Sequence, residues 1–276
     1  IGGATASYKV TEQLGIGVGA YVAAGNKSIY DSVDLTGDSA AVTGFQPRVA
    51  TDFAVLEYAL GAGYEVMPGL KVGAAWRILK ATGSLATIKK TVTNTAYTYV
   101  NLTELEDTRY NGFRLGVQYQ ATDDSWGLGA RFRNQVKFDA KGGNNNGRVV
   151  TVANTQVGAT VSDATVGTSL PSEIAVGANY RVSDNFRILT GVDYVKYSQN
   201  EQLAINASIT SAALGGTAVA LPNIPLKWKD MWNIRLGGEY TGFSGFALRG
   251  GYSLTTRVTS KEDARATITP TGLGHL

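Results

Sequence analysis

Residues Asp230–Leu254 read DMWNIRLGGEYTGFSGFALRGGYSL. The run falls into two strands joined by a tight turn. In the first, Trp232, Ile234, Leu236 and Tyr240 alternate with Asn233, Arg235, Gly237 and Glu239. In the second, Phe246, Leu248, Tyr252 and Leu254 alternate with Ala247, Arg249, Gly251 and Ser253. A period of two gives each strand one greasy face and one face that is polar or nearly bare. The small face sets Arg beside Gly; the other carries long aliphatics with aromatics near its ends. That distribution suits a barrel with lipid outside and water and charge within.

The composition agrees. The chain has 276 residues, 34 glycines, no cysteine and a formal net charge of +3. The charge is too mild to argue for a nucleic-acid partner, and the missing cysteines exclude disulfides and thiolate metal sites. No run of apolar residues is long enough for a transmembrane helix. Strands whose alternate residues are polar escape hydropathy analysis. No metal-ligand cluster and no cofactor motif stands out. Ile1 is not preceded by a basic stretch and apolar core, so no signal peptide is visible.

The same alternation recurs outward from the hairpin. Strands are expected at Ala4–Val10, Leu14–Val22, Phe53–Val66, Leu70–Ala81, Gly112–Gln120, Trp126–Ala140, Glu173–Arg181 and Phe186–Ser198, ten with the hairpin. Short turns such as Met67-Pro68-Gly69 alternate with long polar segments, roughly 25 to 30 residues each. These segments are 24–49, 82–110, 141–169 and 199–227. Outer-membrane barrels have short periplasmic turns and long extracellular loops. With short turns in the periplasm, both ends of the ten-stranded set lie outside the cell, whereas bacterial barrels keep both termini in the periplasm. The expectation is therefore an internal fragment, with at least one strand before Ile1 and one after Leu276.

The inward faces collect Lys71, Arg77, Arg114, Arg131, Arg133, Lys137, Arg181, Arg187, Arg235 and Arg249, with the acids Glu57, Glu65, Asp139, Glu173, Asp193 and Glu239. Val136 and Phe138 fall on the outward face. The inward charges admit two readings. One is a pairing network that fills a narrow lumen, because buried charges must be paired. The other is a basic path for an anionic head group such as a carboxylate, lined by Arg77, Arg114, Arg131, Arg133, Arg187, Arg235 and Arg249. Register decides between them, and the sequence does not supply it. Gly15-Ile-Gly17-Val-Gly19 partly mimics a dinucleotide fingerprint, but that motif needs a following helix; small inward residues that leave luminal space fit better. Trp76, Trp126, Trp228 and Trp232 lie near strand ends, as girdle anchors do. His275, the single histidine, could pair with a serine as in an outer-membrane phospholipase, or be an ordinary residue of a polar tail.

Several segments resemble one family. Trp126–Gly142 resembles a strand ending in YRSxVxxxxxG. Leu170-Pro171 with Gly177 and Tyr180 resembles its LP…G…Y segment, and Asp193–Ser198 its Y..WS segment. Asp230, Arg235-Leu236-Gly237 and Tyr240, followed by Leu248–Tyr252, resemble its closing hairpin. In order and spacing they are similar to the FadL-type outer-membrane transporters of long-chain fatty acids and aromatic hydrocarbons. The resemblance implies an all-β, antiparallel transmembrane barrel of fourteen strands, of which residues 1–276 supply ten, and an N-terminal hatch that this chain does not show. It also implies an integral outer-membrane location, no catalysis, no cofactor, and lipids and a hydrophobic small molecule as partners. Uptake would be passive, through capture among the extracellular loops and sideways release into the bilayer. Tyr97, Tyr99, Leu203, Ile205, Leu221 and Ile224 are candidates for the capture groove; ordinary loop packing explains them equally well. Two alternatives stand beside uptake: an adaptor barrel that carries a protein partner within a secretion machine, and a general diffusion porin. Bound lipid, a stable protein complex and open-channel conductance separate the three.

Overall fold

The computed structural model describes residues 2–34, 45–90, 96–151, 155–264 and 274–275. Its strands are β1 (Gly3–Lys9), β2 (Leu14–Tyr30), β3 (Val49–Met67), β4 (Leu70–Lys90), β5 (Ala96–Gln120), β6 (Trp126–Arg133), β7 (Val136–Lys141), β8 (Asn144–Thr151) and β9 (Gln156–Leu170). The second half has β10 (Glu173–Ser183), β11 (Phe186–Val195), β12 (Gln202–Thr210), β13 (Val219–Ala220), β14 (Ile224–Pro225), β15 (Met231–Phe243), β16 (Phe246–Thr255) and β17 (Gly274–His275). The all-β barrel architecture is as expected. The strand count is not, because seventeen strands form one sheet where ten were expected. The surplus lies in the segments read as polar loops.

The ten expected strands are all present as one continuous wall. Antiparallel pairing runs β1-β2-β3-β4-β5-β6-β10-β11-β15-β16. Among the described residues β1 pairs only with β2, and β16 only with β15 and β17. The short turns gather at one end. Gly69 makes one of them possible: its φ is 85°, and a Cβ there would lie 2.1 Å from the Gln120 carbonyl oxygen.

The lipid-facing surface is greasy and exposed, with aromatics in two bands. Towards the short turns, Tyr119 meets Trp126 at 5.1 Å, the rings tilted, and Phe243 stacks on Phe246 at 4.8 Å. Towards the loops, Phe113 meets Phe132 at 5.8 Å, and Tyr194 meets Trp232 at 4.8 Å. Between the bands lie exposed Leu115, Val117, Leu128, Val176, Ile234 and Leu236. Such girdles flank the apolar band of an outer-membrane barrel.

Beyond the loop-end band the strands continue. β5 has 25 residues, about 80 Å when extended, whereas about 9–11 residues cross a bilayer. Its outer half pairs with β8, β8 with β9, and β9 with β7 and β12. These strands enclose a buried cluster that includes Leu102, Leu105, Val149, Val166, Leu203, Ile205 and Ile209. The long segments are thus folded structure with a core of its own.

One face assignment is overturned. Val136 and Phe138 are buried, 0% and 1% exposed, while Lys137 and Asp139 are exposed. The expected strand breaks at Asn134-Gln135, between β6 and β7. The Asn134 side chain caps the break, donating to the carbonyls of Asn111 and Gln135 and accepting from Phe113 N. A slip of one residue exchanges the two faces of a strand, so the inward set ends at Arg133 and resumes at Val136.

Candidate functional site

The inward surface is built in two levels. At the short-turn end it is nearly bare. Gly15, Gly63, Gly73 and Gly116 stand in one cross-strand row of β2–β5. Gly129, Gly177 and Gly191 stand in a second, on β6, β10 and β11. The β-strand period puts these positions inward. With no side chains to fill the space, they line a cavity of about 1590 Å³. Leu189, Arg114, Arg131, Asp193, Arg235 and Arg249 also border it.

Above the cavity the inward surface closes into a charged layer. The Glu57 and Arg77 side chains are both 0% exposed. They meet in a two-pronged pair, Nε to Oε1 at 2.8 Å and Nη2 to Oε2 at 2.6 Å. The Tyr21 hydroxyl donates to Glu57 Oε1. Arg114 Nη2 reaches the Tyr21 hydroxyl at 2.7 Å and Glu57 Oε1 at 3.2 Å. Glu173 receives Arg131 at 2.5 Å and Arg133 at 2.9 Å. Asp193 receives Arg235 at 2.6 Å and Asn233 at 3.0 Å. Nearer the short turns, Glu239 pairs with Arg249, and Asp124 with Arg181 and Arg187. The Arg187 bond, with that of Arg181, holds the Asp124 carboxyl below the usual carboxylate range despite some desolvation.

Directly above the charged layer sits an apolar one, made of Val55, Leu79, Ala81, Val136, Phe138 and Leu170. All seven luminal arginines named from the sequence are therefore paired with acids. This pairing comes from registers such as Arg131↔Ala175 and Arg235↔Gly191. Arg77, Arg114, Arg131 and Arg133 lie around the charged layer; Arg187 and Arg249 lie apart, near the short turns.

The loop candidates fall into two packed clusters and do not share one groove. Tyr97 is buried with Phe45 and Val150, and Tyr99 packs against that cluster. Leu203 and Ile205 are buried in the outer core, with Leu221 and Ile224 packed against it. Trp228 also packs on that core, beside Tyr197 at 5.8 Å, so it is not a girdle anchor. Asp230 accepts from the Tyr194 hydroxyl and from Ser198 N at 2.9 Å. Burial would raise its pKa, but these bonds outweigh it and hold it low. His275 pairs through its backbone with Leu254; its side chain lies outside the described residues. Sequence reasoning missed Tyr21 and Asp124. Tyr21 carried a signal, since a large hydroxyl-tipped ring ends the inward series Gly15, Gly17, Gly19.

A two-level lumen in a wall with aromatic girdles is specific enough to compare with known proteins. The family model described as outer membrane protein transport protein (OMPP1/FadL/TodX) matches residues 2–272. The chain belongs to the OMPP1/FadL/TodX family. It is accordingly an outer-membrane protein. Solved members share the fold. A Pseudomonas aeruginosa FadL homologue superposes with a TM-score of 0.72 at 13% identity, over 98% of this chain and 63% of that one. The Pseudomonas putida toluene transporter TodX gives 0.67 at 18% identity, over 92% of this chain and 68% of that one. The Ralstonia pickettii toluene transporter TbuX gives 0.68 at 17% identity, with 92% and 68% covered. This FadL-family chain thus spans just under two thirds of the first of these structures. No curated protein sequence matches it.

Proposed function

We propose that this barrel carries hydrophobic small molecules across the outer membrane, entering from the extracellular strands and leaving sideways into the bilayer. The observation that carries the reading is the cavity of about 1590 Å³. Its wall is rich in glycine, and the arginines that border it are paired with acids, so much of the surface offered to cargo is uncharged. The toluene transporters TodX and TbuX among its structural relatives make aromatic hydrocarbons a candidate cargo alongside long-chain fatty acids. We take the ten wall strands as part of a larger barrel, fourteen-stranded with a hatch as the resemblance implied. Its further strands satisfy the margins at β1 and β16, because lipid offers their backbone groups no partners.

A packed apolar layer over a buried charged one disfavours the diffusion-porin reading. The luminal arginines serve first as the pairing network, and Arg114, Arg131 and Arg235 remain at the cavity wall for cargo. The test is uptake of radiolabelled toluene and oleate into outer-membrane-intact cells with and without the protein. Faster uptake of either supports the reading. Equal rates for both compounds, with the protein shown to be inserted, would overturn it.

A further inference from the structure

Strict alternation gives each wall residue one of two exposures, to lipid or to the lumen. One pair on β11 reverses what the two surroundings ask for. Ile188, Thr190 and Val192 stand on the lipid side, with Arg187, Leu189, Gly191 and Asp193 inward. Thr190 is thus a polar residue on a greasy face, and Leu189 a greasy residue on a polar one. No slip of register produces the exchange. Pairing passes through both positions unbroken, Asn179↔Leu189↔Gly237 and Ala178↔Thr190↔Leu236. Thr190 meets lipid with its hydroxyl satisfied, donating to the Arg235 carbonyl at 3.1 Å. Leu189 has no such compensation. It is 44% exposed and borders the cavity.

Its surroundings isolate it. Across the strands its row reads Gln120, Gly127, Asn179, Leu189, Gly237 and Gly251. Among the described residues of the wall between the charged layer and the short turns, Leu189 is the one large apolar side chain at an inward position. Gly191 above it and Gly237 beside it leave bare backbone. Ionic pairs bound the patch, Arg187 with Asp124 below and Arg235 with Asp193 above. From Arg187 to Asp193 is about 20 Å along the strand, less the reach of their side chains. The polar neighbour is already engaged, since Asn179 donates to Gln120 at 3.2 Å and accepts from Arg187 at 3.1 Å.

We propose that Leu189 is a cargo-contact residue of the lower lumen, and that the bare patch around it selects a compact, uncharged molecule. Water gains nothing from the exposed methyl groups, whereas an apolar molecule that covers them leaves water together with them. The engaged Asn179 offers no bond to a polar head group, and the ionic pairs above and below limit the length that the patch accepts. The proposal deepens the transport reading and rests on it for the class of ligand.

The chain has no cysteine, so Leu189→Cys introduces a single thiol. The experiment follows, by mass, the modification of Leu189→Cys and of Thr190→Cys by a charged methanethiosulfonate, with the protein in lipid nanodiscs. Apolar surroundings suppress the reactive thiolate, so Leu189→Cys is expected to react many times faster than Thr190→Cys. Saturating toluene slows Leu189→Cys severalfold, and 1-hexadecanol slows it less. A Leu189→Cys thiol no faster than that of Thr190→Cys is covered by lipid or protein and overturns the proposal, as does a rate that toluene leaves unchanged. Equal protection by 1-hexadecanol overturns the limit on length. In cells, Leu189→Asn raises the half-saturating toluene concentration severalfold and keeps the maximal rate; an unchanged concentration overturns the role in selection. Uptake without protection leaves transport standing and removes Leu189 from it. Protection without uptake leaves the contact standing and removes transport.

Discussion

The same ten strands present two different interiors. Below the level of Trp76 and Phe113 the inward positions are mostly glycine, alanine and polar or charged side chains that border open space. Above it they are Glu57, Arg77, Leu79 and Phe138, all at 0–1% exposure. The cross-strand pairing nevertheless runs on through the boundary on β3 and β4. What differs is side-chain volume. A barrel wall owes its existence to hydrogen bonding, which lipid makes compulsory. Whether the space inside is filled is decided residue by residue.

That contrast can be broken first where the burial is greatest. Glu57→Ala leaves the buried Arg77 without its carboxylate, and removing one partner of a buried pair costs about 3–5 kcal/mol. Urea unfolding in lipid or detergent reads the loss. The matching change at the lower level, Glu239→Ala, removes a partner from the largely exposed Arg249 and is expected to cost about 0–1 kcal/mol. If the two losses are equal, the division into filled and open interiors is wrong. Phe138→Ala is expected to cost about 3–5 kcal/mol through its transfer and cavity terms. Its neighbour Lys137→Ala should stay within about 0.5 kcal/mol, and a reversal would restore the opposite face assignment for β7.

Gly63→Leu sharpens the lower half. A Cβ there meets nothing closer than the Val72 carbonyl oxygen at 3.7 Å, so the protein folds with little change in stability while its lumen narrows. Cargo uptake falls severalfold if the bare row is part of the path; unchanged uptake would place the path elsewhere. The smallest effect belongs to Asp124. Its carboxyl titrates lower in the folded protein than in the unfolded chain. Its stabilisation is therefore complete above the unfolded value of about 4 and is lost as pH falls through the depressed folded value. Asp124→Asn should be less stable than the parent at pH 7, and the gap should shrink as the pH approaches 2. A gap that stays constant would show that ionisation is not the cause.

The wall was legible in the sequence because lipid on one side and lumen on the other impose strict alternation, as in Phe113-Arg114-Leu115-Gly116-Val117. The outer strands were not. β9, QVGATVSDATVGTSL, and β12, QLAINASIT, alternate buried apolar residues with small polar ones, a composition that also describes a loop. The inward arginines were found by parity alone. Their partners were not, because a salt bridge such as Arg235–Asp193 is set by cross-strand register, which alternation leaves undetermined. The reversed faces at Val136 and Phe138 had the same origin. A break of two residues at Asn134-Gln135 looks in sequence like two more steps of the same strand.

That break gives the molecule a seam. On its membrane side, every substitution must respect the wall's rhythm of greasy and small residues. Beyond it the parity of this strand has been reset, while β3 and β4 pass the same level with their pairing unbroken. The segment that begins at β7 can therefore diverge in length and composition more freely than the outer halves of β3 and β4, which continue the wall. A barrel with such a seam can acquire a new outer surface while keeping its wall.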